Sequence, residues 1–193
     1  MDLGTGAAGF RYHARPARSG LLIPKGGIIR RARPADADAL AQLHVDIWRE
    51  TYRNIAPAAA YQALDKPARL PYWRNALNAK DADIGALVAL EDSRIIGVAS
   101  FAPATHPAMN GGYEIKHFYI DRTARRTGLG KRLLRATFAE IGKSRVSLAV
   151  VTQNMAARQF YKAMGGIEAG TFTDPGPLWQ SSNVIVTWDL RNE

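Results

Sequence analysis

At 193 residues, with no cysteine and a formal net charge of +9, the chain suits one domain with an ordinary core; it has no means to form a disulfide, a thiolate metal site or a cysteine acyl-enzyme. Its residues are 47% apolar, yet charges interrupt every apolar run well short of the ~20 residues that span a bilayer. Residues 1–33 carry a net +6 and residues 122–145 a net +7, so the rest of the chain sums to −4, which argues against a uniformly basic polyanion-binding surface and for one local anionic ligand.

Residues 1–27 mix Gly, Ala, Arg and Pro without periodicity and close on Pro24-Lys25-Gly26-Gly27, which predicts a flexible N-terminal extension to a domain over 28–193. The Arg-rich composition also resembles a transit peptide, but Pro16 and the glycines weaken an amphipathic helix and there is no secretory apolar core. A cytoplasmic protein is expected. Ile28-Ile29-Arg30-Arg31-Ala32 reads as a short strand, and Pro34-Ala35-Asp36 opens a helix with an acidic first turn. Leu40, Leu43, Ile47 and Tyr52 supply its apolar stripe. A second helical stretch over 58–79 is expected to break at Pro67 and Pro71. Residues 85–90 and 95–102 flank the turn Glu91-Asp92-Ser93-Arg94 and predict a hairpin. A further strand covers 113–120, followed by a turn with two glycines and a helix over 129–141 with Leu129, Leu133, Ala136 and Ile141 on its inner face. The apolar run 146–151 predicts a strand buried on both faces. Asn154 then begins a helix that Gly165-Gly166 stops, and strands over 167–173 and 183–190 enclose a loop rich in Pro, Gly and Trp.

The turn Arg125-Arg126-Thr127-Gly128-Leu129-Gly130 leads from a strand into a helix. Such a turn offers an anion unpaired backbone N–H groups, the positive end of a helix and no β-carbon in the way. A Walker loop needs Gly where Arg125 stands and Ser or Thr where Arg132 stands, and a dinucleotide fingerprint needs a small residue at Leu133; neither fits. Cations at the positive end of a helix are unfavourable without an anion nearby, so Arg125, Arg126, Lys131 and Arg132 read as phosphate contacts. Arg135, Lys143 and Arg145 read as a solvated face.

With the strand residues Phe118-Tyr119-Ile120-Asp121 before it, the run from Arg125 to Leu134 resembles the Arg/Gln-x-x-Gly-x-Gly/Ala motif of the GNAT superfamily of acetyl-CoA-dependent N-acetyltransferases. A second block, Asn154-Met155-Ala156-Ala157-Arg158-Gln159-Phe160-Tyr161-Lys162-Ala163-Met164-Gly165-Gly166, is similar to the family's Asn-x-x-Ala-x-x-Phe-Tyr-x-x-x-Gly-Phe run, with Gly166 in place of the usual aromatic or apolar residue. Trp48-Arg49-Glu50-Thr51-Tyr52 is also similar to the family's first helix. The resemblance covers residues 28–190. It implies an α/β (α+β) fold, a mixed, largely antiparallel sheet of about six to seven strands flanked by helices and splayed between the fourth and fifth strands. Those two strands, 113–120 and 146–151, should run parallel because a helix connects them.

The same resemblance implies acetyl-CoA as cofactor, its pyrophosphate on the glycine turn and its pantetheine arm paired with the backbone of Phe118, Tyr119 and Ile120. Acetyl transfer to an amine needs a neutral nitrogen, a polarised thioester carbonyl and a proton for the departing thiolate. Tyr161 matches the family's general acid, and Asn154 matches a contact to the cofactor arm while also being a preferred N-cap. Glu114 matches a position where many relatives carry a base; His117 and His106 are the substitutes. No His, Asp or Glu cluster has metal-ligand spacing, so no metal is expected. The family pattern places the acceptor at Trp48, Tyr52, Tyr72, Trp73, Trp179 and Gln180, although Trp48 and Trp73 also suit core packing. An aromatic pocket with few acids suits a small-molecule primary amine, amino acid or antibiotic-like. A protein N-terminal or lysine acetyltransferase and a non-catalytic acyl-CoA sensor are the alternatives. Neither nucleic acid nor a membrane is an expected partner, and a homodimer is admitted.

Overall fold

A computed structural model of the protein describes residues 27–192. The extension expected over 1–27 lies outside the described residues except for Gly27, which is buried beside Leu90. Among the described residues, strands β1 (Ile28–Arg31), β2 (Gly85–Glu91), β3 (Arg94–Pro103), β4 (Tyr113–Ile120), β5 (Arg145–Val151), β6 (Ile167–Asp174) and β7 (Ser181–Asp189) form one sheet. Their order is β1-β2-β3-β4-β5-β7-β6. All neighbours are antiparallel except β4 and β5, which run parallel and pair only Tyr113 with Val146 and Glu114 with Ser147. Beyond those pairs the two strands part, as expected for the fourth and fifth strands.

Alternation along the strands sends side chains to two helical layers. Helices α1 (Ala37–Thr51) and α3 (Lys66–Asn78) bury Leu40, Ile47 and Trp73 against Val88 and Val98, with the short α2 (Ala58–Ala63) between them in sequence. Helices α4 (Leu129–Ile141) and α5 (Met155–Ala163) cover the other face. There Leu133 packs on Leu87 and Ala99, and Leu134 joins Tyr161, Val146, Leu148 and Val184. Each such large apolar side chain removed from water contributes roughly 1.5–3 kcal/mol.

Four details differ from the sequence expectation. The stretch 58–79 breaks once, at Leu64-Asp65, where Asp65 caps α3 by accepting from the Ala68 N–H at 2.8 Å. Pro67 occupies the first turn, where its missing N–H costs nothing, and Pro71 sits inside the helix. Burial of Trp73, with Leu70 and Leu77 beside it, holds α3 against the cost of that proline. In α4 the fully buried positions are Leu129, Leu133, Leu134 and Thr137, while Ala136 and Ile141 are half-buried. Strand β5 is buried on both faces except at Ala149, which is exposed beyond the point where β4 leaves it. The loop Pro107–Met109 adds a 3-10 turn that the sequence did not announce.

Candidate active site

The site is built around an irregularity in β4. Ser100 of β3 pairs with His117 and Phe101 with Ile115, so Lys116 has no partner and bulges. The extra residue resets the alternation. Ile115 and Phe118 both turn to the α4–α5 layer, beside Leu134 and Tyr161, while His117 and Tyr119 turn to α1 and α3, where their rings meet His44 at 4.9 and 5.0 Å. Glu114 is ion-paired with Lys116, and its charge bears on Tyr72.

At the end of β4, Asp121 accepts from the N–H and hydroxyl of Thr123 at 2.8 and 2.6 Å and from Arg94 at 2.9 Å, fixing the exit of the strand. The chain then passes through two left-handed residues, Arg126 (φ +64°) and Gly128 (φ +85°), into α4. Among the described residues no side chain caps this helix, and apart from the neighbouring residues no atom lies within 4 Å of where a β-carbon on Gly128 would stand. The positive helix end therefore opens on free space, which favours an anion. Leu129 is buried, so it offers that space only its backbone. Thr127 donates to the Ala124 carbonyl at 2.7 Å. The basic residues divide. Arg126 and Lys131 are exposed; Arg125 donates to the Ile120 carbonyl at 3.0 Å and clasps the carboxylate of Glu50 at 3.1 and 2.9 Å; Arg132 donates to the Gly27 carbonyl at 2.7 Å.

Helix α5 brings Asn154 and Tyr161 to the same opening. Asn154 is the N-cap, accepting from Ala157 N–H at 3.2 Å, and its side chain acts against the burial that raises the pKa of the Tyr52 phenol. The N-cap role expected of Asn154 is therefore present. Tyr161 is 6% exposed and packs edge-on to Phe118, Phe160 and Trp188. Burial, and then Tyr52, pushes its pKa above that of a free phenol, so it carries its proton at neutral pH. The departure at Gly166 has a steric reason: a β-carbon there would lie 2.5 Å from Val186 and 2.7 Å from Trp188, whose indole donates to the Met164 carbonyl at 3.0 Å.

The residues expected at the acceptor side form two ring clusters. Trp48 packs on Tyr52 and Trp179 at 5.2 Å each and on Tyr61 at 5.4 Å, with Trp48 itself in the core. The loop holding Trp179 therefore folds down on the end of α1, and the neighbouring Gln180 is exposed. Tyr72 and Trp73 meet His117 at 5.0 and 5.2 Å, with Trp73 fully buried. His117 shares a hydrogen bond with Ser100 at 2.9 Å and a longer one with Tyr72 at 3.3 Å. His106 lies apart from this group, its ring tilted against that of Phe172 of β6 at 4.2 Å. Sequence reasoning missed His44, which is 2% exposed with its Nδ1 unpartnered; its place four residues after Leu40, on the buried stripe of α1, is the signal that marks it. Burial lowers the pKa of His44 to about 2 and of His117 to about 3, so both rings are neutral.

Among known proteins, the chain is 25% identical over 154 residues to a probable N-acetyltransferase of Mycobacterium tuberculosis, covering 79% of this chain and 87% of that one. It is 28% identical over 132 residues to an uncharacterized N-acetyltransferase of Bacillus subtilis, covering 65% and 72%. Solved structures share the fold: the PaiA N-acetyltransferase of Thermoplasma acidophilum in complex with coenzyme A has a TM-score of 0.61 at 21% identity, covering 84% of this chain and 98% of that one. Arabidopsis thaliana NAA60 in complex with a bisubstrate analogue has a TM-score of 0.63 at 17% identity, with the same coverage. A model of the acetyltransferase (GNAT) family matches residues 40–165, well over half of the chain, and the protein belongs to that family.

Proposed function

We propose that the protein moves the acetyl group of acetyl-CoA directly to the primary amine of a small molecule, an amino acid or antibiotic-like compound. The observation that carries this reading is the parting of β4 and β5, with the uncapped start of α4 following β4 and Tyr161 packed among Ile115 of β4 and Val146 and Leu148 of β5. The residues present fit acetyl-CoA: Gly128 leaves the space before the helix clear, and Ala149 is exposed where the strands part. The M. tuberculosis relative, described as a probable N-acetyltransferase, supports the same reaction.

When bound, acetyl-CoA supplies the acetyl group as a thioester. In this reading the backbone of 126–130 and the side chains of Arg126 and Lys131 hold the pyrophosphate, with Arg125 and Arg132 set behind them. The backbone of Phe118, Tyr119 and Ile120, freed from β5 by the splay, pairs with the pantetheine arm, and an N–H there polarises the thioester carbonyl. Asn154 stands beside that arm. Tyr161 donates its proton to the departing sulfur as the thioester bond breaks, and burial, by raising its pKa, keeps the phenol protonated and available as the donor at neutral pH. Glu114 takes the amine proton. Trp179, folded onto Trp48 and Tyr52, narrows the acceptor side, which favours a small amine over a protein segment.

The test is release of free CoA from acetyl-CoA across amino acids, aminoglycosides, polyamines and short peptides, with the acetylated product identified by mass. Turnover with one class of small amine supports the reading; turnover with peptides alone moves the assignment to a protein acetyltransferase. Acetyl-CoA binding without turnover on any amine leaves a sensor.

A further inference from the structure

Arg69, in the first half of α3, is a half-buried cation without a partner. Its Nε is buried with no hydrogen bond, and no hydrogen bond or ion pair engages its guanidinium among the described residues. Other arginines are held by carboxylates: Arg30 by Asp36, Arg94 by Asp121, Arg125 by Glu50 and Arg158 by Glu168. The buried Nε has lost its water without gaining a partner, a cost that a native structure normally compensates.

The surroundings of Arg69 do not compensate it. Its charge adds to burial in lowering the pKa of His44 and His117, and acts against burial at Tyr72 and Tyr119. Both imidazoles are neutral, both phenols are protonated, and Glu114 is already taken by Lys116. Arg69 lies one turn before Tyr72 and Trp73 on α3, so the three share a helix face, and both rings meet His117 at 5.0 and 5.2 Å. The cation therefore stands on the acceptor side, where the rings of His117 and Tyr119 approach to 5.7 Å.

We propose that Arg69 anchors a carboxylate on the acceptor, which makes the substrate an amino acid-type molecule rather than a simple amine. The guanidinium fork matches a carboxylate bidentately and strongly, and the neutral rings of His117 and Tyr72 beside it add hydrogen-bonding groups without a competing anion. The proposal rests on the acetyl-transfer reading for the reaction, but not for the binding.

The experiment measures binding to the CoA-saturated protein by calorimetry, comparing amino acids with the matched amines that lack the carboxylate. L-Leucine is set against isopentylamine, L-methionine against 3-(methylthio)propylamine and L-phenylalanine against phenethylamine, in wild type, Arg69→Gln and Arg69→Lys. At least one amino acid should bind about 10- to 100-fold more tightly than its amine, the range for hydrogen bonds to a charged group. Arg69→Gln should erase that preference by weakening the acid alone, and Arg69→Lys, which keeps the charge but not the fork, should keep only part of it. Circular dichroism should show the Gln variant unfolding near the wild-type temperature, since Arg69 holds no other residue. Equal binding of acid and amine, no binding of any amino acid, or equal weakening of both by Arg69→Gln would overturn the anchor. CoA release with the same compounds reads the reaction separately. Carboxylate preference in binding without CoA release sinks acetyl transfer and leaves the anchor; CoA release without carboxylate preference does the reverse.

Discussion

The two faces of the sheet differ in what they would use to make a site. On the α4–α5 face the working surface is backbone: the left-handed turn at Gly128, the uncapped helix end and the strand edges freed between β4 and β5. Side chains such as Leu129, Leu133 and Leu134 are buried behind it and serve to hold the helix still. On the α1–α3 face the surface is side chain: His44, Arg69, Tyr72, His117 and Tyr119 come from three separate segments and meet only because α1 and α3 pack on β4. A backbone site resists most substitutions and breaks where a β-carbon intrudes. A side-chain site can change its substrate one residue at a time.

The largest expected effect lies at the join of the two faces. Tyr161→Phe should lower turnover by roughly 10²-fold or more, the scale of general acid catalysis, while sparing acetyl-CoA affinity. Glu114→Gln should remove the acidic-side fall in the pH profile of kcat/KM for the acceptor, whereas the Phe variant should alter the alkaline limb. Steady-state kinetics across pH reads both, and an unchanged profile in the Gln variant moves the base to His117 or solvent.

A smaller effect sharpens the side-chain face. His44 and His117 are held, chiefly by burial, at about 2 and about 3, below the ~6.5 of an unfolded chain. The unfolded state therefore binds more protons between those values, so stability present above about pH 6.5 is lost as pH falls, on the order of 1 kcal/mol per pH unit for each ring. His44→Leu replaces a ring whose Nδ1 has no partner and should flatten this fall. Melting curves at pH 7 and pH 5 check it; a wild type equally stable at both would mean that the rings are not kept neutral. The smallest effect concerns the Arg125–Glu50 pair, which is partly exposed. Glu50→Gln releases the guanidinium for phosphate and should tighten acetyl-CoA binding by up to about fivefold, the upper range for such pairs.

The asymmetry between the faces also sets what was legible in the sequence. The glycine turn and the Asn154–Tyr161 block are short local runs, and with them the limits of α4 and the parallel β4–β5 pair could be predicted. Strand alternation around 113–120 could not reveal the bulge at Lys116, because it arises from the register with β3. His44 and Arg69 passed as a stripe residue and a helix charge; their meaning comes from neighbours far along the chain. Pro71 misled because local propensity yields to the burial of Trp73.

The most direct test is calorimetric titration of acetyl-CoA into wild type and Gly128→Val. Position 128 is cleaner than 130, where a β-carbon would press within 3.3 Å of the Phe160 ring and disturb the packing of α4 on α5. Apart from its chain neighbours, valine at 128 meets no atom of the described residues within 4 Å of its β-carbon, and the left-handed backbone costs it about 1–2 kcal/mol, so the domain should still fold. Its branches stand where an anion must approach the helix. If the backbone of this turn is the pyrophosphate cradle, wild type binds acetyl-CoA and the folded variant shows no measurable heat of binding. Wild-type affinity in the folded variant would contradict it and reduce the turn to a connection between β4 and α4.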